Sequence, residues 1–302
     1  MFGAPHRSAM TAARIPREPP AVGAERCPTC GAAVETPYCS SCGEQRASDR
    51  HYSLRHLGEE LFETLFHADG RAIRTIRTLI ARPGALTAAY MRGERKPYVA
   101  PLQLFFLANV VFFVWVGITH VNTFSTPLQF HVGGMFYSGL AHRMVDARLA
   151  ARHVTYESYA AIFDHAATLQ AKSLIILMVP MLAVVTMLLV LPERQATTQD
   201  VVFALHTMTA VLLLVMAVSL ALGLIAGGFA HAGFVTRWQL WDQLSALLIL
   251  IALGAYTHRA LRRAYGLSSA GAAARAIAFA LAFIPTVILY RAVLFFTTFY
   301  TT

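Results

Sequence analysis

The sequence predicts an all-α integral membrane bundle of about five transmembrane helices, with a small four-cysteine module at its N-terminal end. Three observations predict it. Apolar residues make up 56% of the 302 positions and charged residues only 14%, with a mean hydropathy of +0.52. A soluble domain carries about a quarter charged residues, so the apolar excess has to be buried in lipid. Five stretches approach the roughly 20 apolar residues needed to cross a 30 Å hydrocarbon layer. All four cysteines fall between Cys27 and Cys42.

Residues 1–26 hold Pro16, Pro19 and Pro20 among scattered Arg and Ala. They lack the apolar core of a signal peptide and read as a disordered tail, because proline removes helix donors and the composition offers little surface to bury. Residues 27–46 follow as Cys27-Pro28-Thr29-Cys30-Gly31 and, eight residues later, Cys39-Ser40-Ser41-Cys42-Gly43. A C-x-x-C turn presents two thiolates to one metal, and the glycine after it permits a backbone that aims amides at the sulfurs. Two such knuckles complete a closed tetrahedral site, so Cys27, Cys30, Cys39 and Cys42 read as a zinc ribbon with structural rather than catalytic zinc. Paired disulfides or a redox-active C-x-x-C fit less well, since a thioredoxin-like motif needs a strand and helix that this span cannot supply. Reduced thiolates imply a cytosolic compartment.

Residues 53–101 read as cytosolic amphipathic or interfacial helices. From Ser53, a plausible N-cap, Leu54, Leu57, Leu61 and Leu65 recur at helical spacing up to a break near Asp69-Gly70. Arg71, Arg74 and Arg77 then form a basic stripe, either lying on anionic head groups or facing solvent. A short helix lies between Pro83 and Pro97 and leads into the first span. The elements R-P-G at Arg82, Pro83 and Gly84, and Tyr90, Gly93, Arg95, Tyr98 and Pro101 in a Y-x-x-G-x-R-x-x-Y-x-x-P arrangement, join the double knuckle to form a recognisable pattern. With Phe203-Ala204-Leu205-His206 and Arg262-Arg263-Ala264-Tyr265-Gly266, the chain resembles the uncharacterised bacterial zinc-ribbon membrane proteins grouped as domain of unknown function 3667. That resemblance implies a membrane bundle with a ribbon and brings no activity with it.

Residues 102–302 form the transmembrane domain, with spans expected at about 102–121, 173–191, 201–225, 240–256 and 274–296; four or six remain compatible with hydropathy. About fourteen of the 25 Lys and Arg precede Leu102, and Arg259, Arg262 and Arg263 lie between the last two spans. The positive-inside rule then places the N-terminus in the cytosol and the C-terminus outside a bacterial cytoplasmic membrane. The basic excess follows topology, so nucleic acid is a disfavoured partner. In the 122–172 loop, Phe130 to Tyr137 is expected to line the membrane surface and Met144 to Leu169 to form one or two amphipathic helices. His142, His153 and His165 there lack the i, i+4 spacing of a helical metal site.

Polar groups inside the spans are the remaining candidates. Asn109 and His206 stand out, His206 either relaying protons or making an interhelical hydrogen bond. Thr207, Thr209 and Ser219 are expected to bond to carbonyls one turn back, and Arg291 to snorkel outward. No H-E-x-x-H, G-x-S-x-G, Walker loop or pair of intramembrane aspartates is present, which argues against an enzyme. The leading expectation is a membrane-anchored ribbon that docks or regulates a cytosolic protein partner. The rivals are a lipid or small-molecule translocator lined by His206, Asn109 and Arg95, and an unconventional membrane enzyme acting on a lipid head group.

Overall fold

Backbone groups that enter lipid must bond within their own segment, which favours uninterrupted helices wherever apolar residues run on. The computed structural model shows this. It describes residues 26–34, 36–44, 70–119, 123–193, 196–231 and 238–302. The expected tail up to Glu25 and the helix expected over Ser53–Asp69 lie outside the described residues. The chain divides into two compact units, Met1–Arg46 and Ala47–Thr302. Among the described residues there is no extended strand, and an isolated antiparallel bridge joins Arg26 to Ala33 in the first unit.

The second unit begins with α1 (Gly70–Ala81) and α2 (Ala85–Met91), then α3 (Pro101–Thr119). Next come α4 (Leu128–Gly133), α5 (Ser138–Arg152) and α6 (Tyr156–Leu174), the last passing through a 3-10 turn at Ile175–Leu177 into α7 (Met178–Leu189). The long helices α8 (Thr197–His231), α9 (Trp238–Tyr265) and α10 (Ser269–Thr301) complete it. Among the described residues, five helical segments are long and apolar enough to cross a membrane: Pro101–Thr119, Tyr156–Leu189, Thr197–Gly228, Trp241–Tyr265 and Ser269–Thr301. Their outward faces carry side chains such as Ile118 at 71%, Leu224 at 70% and Ile277 at 62% exposure. Such faces are stable in acyl chains and not in water.

The helices run past the hydropathy windows. The second crossing is the clearest case, because α6, the 3-10 turn and α7 form one 34-residue rod where a span of 173–191 is expected. At 1.5 Å per residue it is about 50 Å long, well beyond the hydrocarbon layer. Glu157, Asp164 and Lys172 lower the hydropathy of its first half without interrupting backbone hydrogen bonding. The turn sits four residues ahead of Pro180, whose ring crowds the Ile176 carbonyl and which has no N–H to donate.

The main core lies between α3, α7, α8, α9 and α10, where Phe105, Phe112, Leu182, Phe203, Leu212, Phe279 and Leu294 are buried together. Phe203 meets Tyr265 and Phe279 edge to face, with ring centroids 5.5 and 6.3 Å apart. A second core, at the end of α10, joins it to α4, α5 and α6 through Leu128, Ala141, Val145, Phe163, Phe295 and Phe299. The segment expected to line the membrane surface is therefore split. Phe130 and Phe136 point outward at 51% and 80% exposure, whereas Leu128, His131 and Tyr137 are buried.

Candidate metal centre and polar groups of the membrane unit

The first unit is built from two copies of one turn. In each, the amide after the second cysteine bonds back to the first: Gly31 N–H to the Cys27 carbonyl at 2.8 Å and Gly43 N–H to the Cys39 carbonyl at 2.7 Å. The first cysteines donate forward, Cys27 N–H to Ala32 and Cys39 N–H to Glu44. Gly31 and Gly43 have φ of 76° and 69°, a left-handed conformation that a side chain disfavours. Thr29 Oγ1 braces the two halves by donating to Glu44 Oε2 at 2.7 Å.

The four sulfurs converge. All lie within 4.8 Å of one another, with Cys27 to Cys42 at 3.5 Å and Cys30 to Cys39 at 3.6 Å. No disulfide is formed, and these separations far exceed an S–S bond of about 2.05 Å. They come close to the roughly 3.8 Å edge of a tetrahedron of thiolates around an ion at about 2.3 Å. Backbone amides point inward as well. Those of Cys42 and Ser41 draw the Cys39 thiol down to about 6. The Glu44 amide also favours the Cys42 thiolate, yet burial and the other three sulfurs hold that thiol up at about 12. Four sulfurs this close share negative charge poorly without a cation among them. The residues fit a metal ion, and this is the one group of three or more potential ligands gathered among the described residues.

In the second unit, His206 is buried on α8, and its Nδ1 is 2.9 Å from Thr87 Oγ1 on α2. Asn109 on α3 is buried, with Nδ2 3.5 Å from the Lys172 carbonyl. The Arg95 guanidinium lies 4.3 Å above the Tyr90 ring. These three engage three separate partners. Thr209 and Ser219 bond to the Leu205 and Met216 carbonyls, at 2.8 and 3.0 Å. Thr207 departs from expectation, since its buried hydroxyl finds no such partner. Arg291 does not snorkel clear, because its Nε is buried beside the second core without a hydrogen-bond partner.

His142 pairs with Asp146 at 3.3 Å on an exposed face, and His153 ends α5 in a left-handed conformation. The buried histidine of this region is His131, which the sequence did not single out. Its Nε2 donates to the Thr126 carbonyl at 3.1 Å, so Nδ1 accepts from the Tyr137 hydroxyl at 2.7 Å. Burial first, and then the Arg291 charge, hold its pKa down at about 4 against the pull of the Thr126 carbonyl. No local pattern marks it, since Phe163 and Phe295, which enclose it, come from distant parts of the chain.

Within the second unit, the R-P-G and Y-x-x-G-x-R-x-x-Y-x-x-P elements shape α2 and its contacts. Gly84, at φ 82°, starts α2 against α9, where a Cβ would come within 2.3 Å of the Ala260 carbonyl oxygen. Arg263 donates to the Pro83 carbonyl, and Gly93 closes α2 by donating to the Tyr90 carbonyl at 3.1 Å. Tyr98 packs beside Leu79, Leu86 and Leu104. Residues 69–113 match the family model described as Protein of unknown function (DUF3667). The DUF3667 match thus covers α1, α2 and the first two-thirds of α3, including the R-P-G and Y-x-x-G-x-R-x-x-Y-x-x-P elements. The knuckles and the elements around His206 and Tyr265 lie outside it. No curated protein and no solved structure matches the chain.

Proposed function

We propose that this protein is a membrane-anchored zinc ribbon that docks or regulates a cytosolic protein partner and has no catalytic role. One observation carries the reading: a small separate unit gathers four sulfurs within 4.8 Å while holding Tyr38 58% exposed beside Cys39. Four thiolates select a soft tetrahedral ion such as zinc and leave no coordination position for substrate. A module fixed by metal can present an aromatic side chain at little entropic cost, the usual character of a binding hot spot. Positive-inside bias supports a bacterial cytoplasmic membrane, with the ribbon in the reducing cytosol.

The test begins with the full chain, expressed with ample zinc and kept reduced. Elemental analysis is expected to give one zinc per chain. Cys39→Ser should remove it and expose Arg26–Glu44 to protease, because ligation supplies on the order of 10 kcal/mol to so small a fold. Helical content and membrane insertion should stay unchanged. Affinity purification in mild detergent should then recover a cytosolic protein with the wild type and not with Cys39→Ser. Absence of metal would sink the reading, and a single lipid enriched regardless of the cysteines would favour the translocator.

A further inference from the structure

Helix α1 packs on the bundle through one face, and its other face is exposed among the described residues. Its inner face buries Thr75 and Leu79. Leu79 and Ile76 pack with Leu104 of α3 and with Ala210 and Leu213 of α8. Thr75 Oγ1 accepts from the Val99 amide at 3.0 Å, two residues before α3 begins. Leu104 lies in the first turn of its span, and Ala210 and Leu213 lie inside the apolar Thr197–Gly228 segment. This helix is therefore held against α3 and α8, tied to the chain just ahead of the first candidate crossing.

Its outward face is divided along the helix. Ile73 and Ile80, a heptad apart, are 75% and 60% exposed and form one edge. Arg74 and Arg77 form the adjacent edge and are exposed too, and α1 contains no acidic residue. An apolar edge beside a cationic edge, next to the start of a candidate crossing, matches an in-plane helix at the acyl boundary. Solvent alone accounts for the arginines and not for the isoleucines.

We propose that α1 is an interfacial anchor: Ile73 and Ile80 enter the acyl boundary, and Arg74 and Arg77 bind head-group phosphates of anionic phospholipids. The planar guanidinium suits phosphate better than a point charge does. Each such group near the surface favours anionic over zwitterionic lipid by about fivefold.

The full-length protein in nanodiscs of mixed phosphatidylcholine and phosphatidylglycerol tests this. Lipids retained after gentle extraction are counted by native mass spectrometry. Phosphatidylglycerol should exceed its bulk fraction around the wild type. Arg74→Gln with Arg77→Gln should lower that preference by roughly tenfold or more, while the double Lys variant keeps most of it. Both pairs are exposed, and unchanged thermal unfolding would show that the fold survives. Equal preference in wild type and the Gln variant overturns the proposal. So does a stoichiometric protein retained by the wild type alone with no phosphatidylglycerol preference, which would assign this face to a protein partner.

Discussion

At Gly84 two independent constraints coincide on one residue. Its φ of 82° costs an L-residue about 1–2 kcal/mol, and a Cβ there would meet the Ala260 carbonyl oxygen at 2.3 Å, well inside van der Waals contact. That oxygen belongs to the backbone of α9, so it cannot rotate away as a side chain would. Gly84→Ala should therefore push α2 off α9 and cost more than the strain alone. Thermal unfolding of the purified variant in detergent should show a clear fall in Tm, and proteolysis should open the region between Ala81 and Ala85. A Tm equal to that of wild type would mean that α2 does not need this close approach. The neighbouring bond between Thr87 and His206, 2.9 Å long, depends on the same docking. It gives His206 a satisfied structural environment, in which an interhelical hydrogen bond accounts for a polar group otherwise costly to bury.

Among the elements, the cap formed by α4, α5 and the start of α6 has its own core and its own titratable centre. His131 is neutral there, donating through Nε2 and accepting through Nδ1. Arg291 and the Tyr137 hydroxyl are the neighbouring polar groups, and Asp164 accepts the Leu128 amide at 2.7 Å close by. With the folded pKa at about 4 and the ordinary value near 6.5, unfolding takes up a proton between those limits. The stabilisation is complete above about pH 6.5 and is lost as pH falls toward 4, on the order of 3 kcal/mol across the window. Protection factors of amides in residues 128–164, taken relative to intrinsic exchange at each pH, should fall between pH 7 and pH 4.5 in the wild type. His131→Gln, which cannot gain the proton, should flatten that dependence; an equally steep response in the variant would assign it to another group.

For the whole molecule, polar contacts sort into two ends. At one, Gln199 donates to the Ala264 carbonyl at 2.9 Å, the Tyr265 hydroxyl donates to Asp200 at 2.8 Å, and Arg275 pairs with Glu193 at 2.6 Å. At the other, Thr298 donates to Gln170 at 2.9 Å, and the Tyr159 and Thr302 hydroxyls are 3.2 Å apart. Five candidate crossings, with the basic residues ahead of Pro101 read as cytosolic, predict that Pro101 and Thr301 lie on opposite sides of a membrane. A reporter active only in the cytosol should accordingly work at the N-terminus and in the loop around Leu267. A reporter active only after export should work when fused after Thr302. Cytosolic activity at both fusion ends would require an even number of crossings and would overturn this arrangement.

Composition and spacing alone determined that the chain is a helical membrane bundle and that four cysteines gather around one point. Both follow from short-range physics: lipid demands continuous apolar helices, and two identical turns place their sulfurs by local backbone geometry at Gly31 and Gly43. The ends of the helices needed the tertiary structure, as at Tyr156, where backbone bonding carries α6 through residues too polar to register as a span. The environments of Thr87, His131 and Arg291 needed it too. Their neighbours lie far along the chain, 119 positions away for Thr87 and His206 and further still for His131 and Phe295, and no periodicity within one helix encodes which face a second helix will cover. The R-P-G element shows the division in a single motif. Its proline and glycine announce a break, but only the packed bundle shows that the break brings one backbone against another, at a distance that excludes even a methyl group.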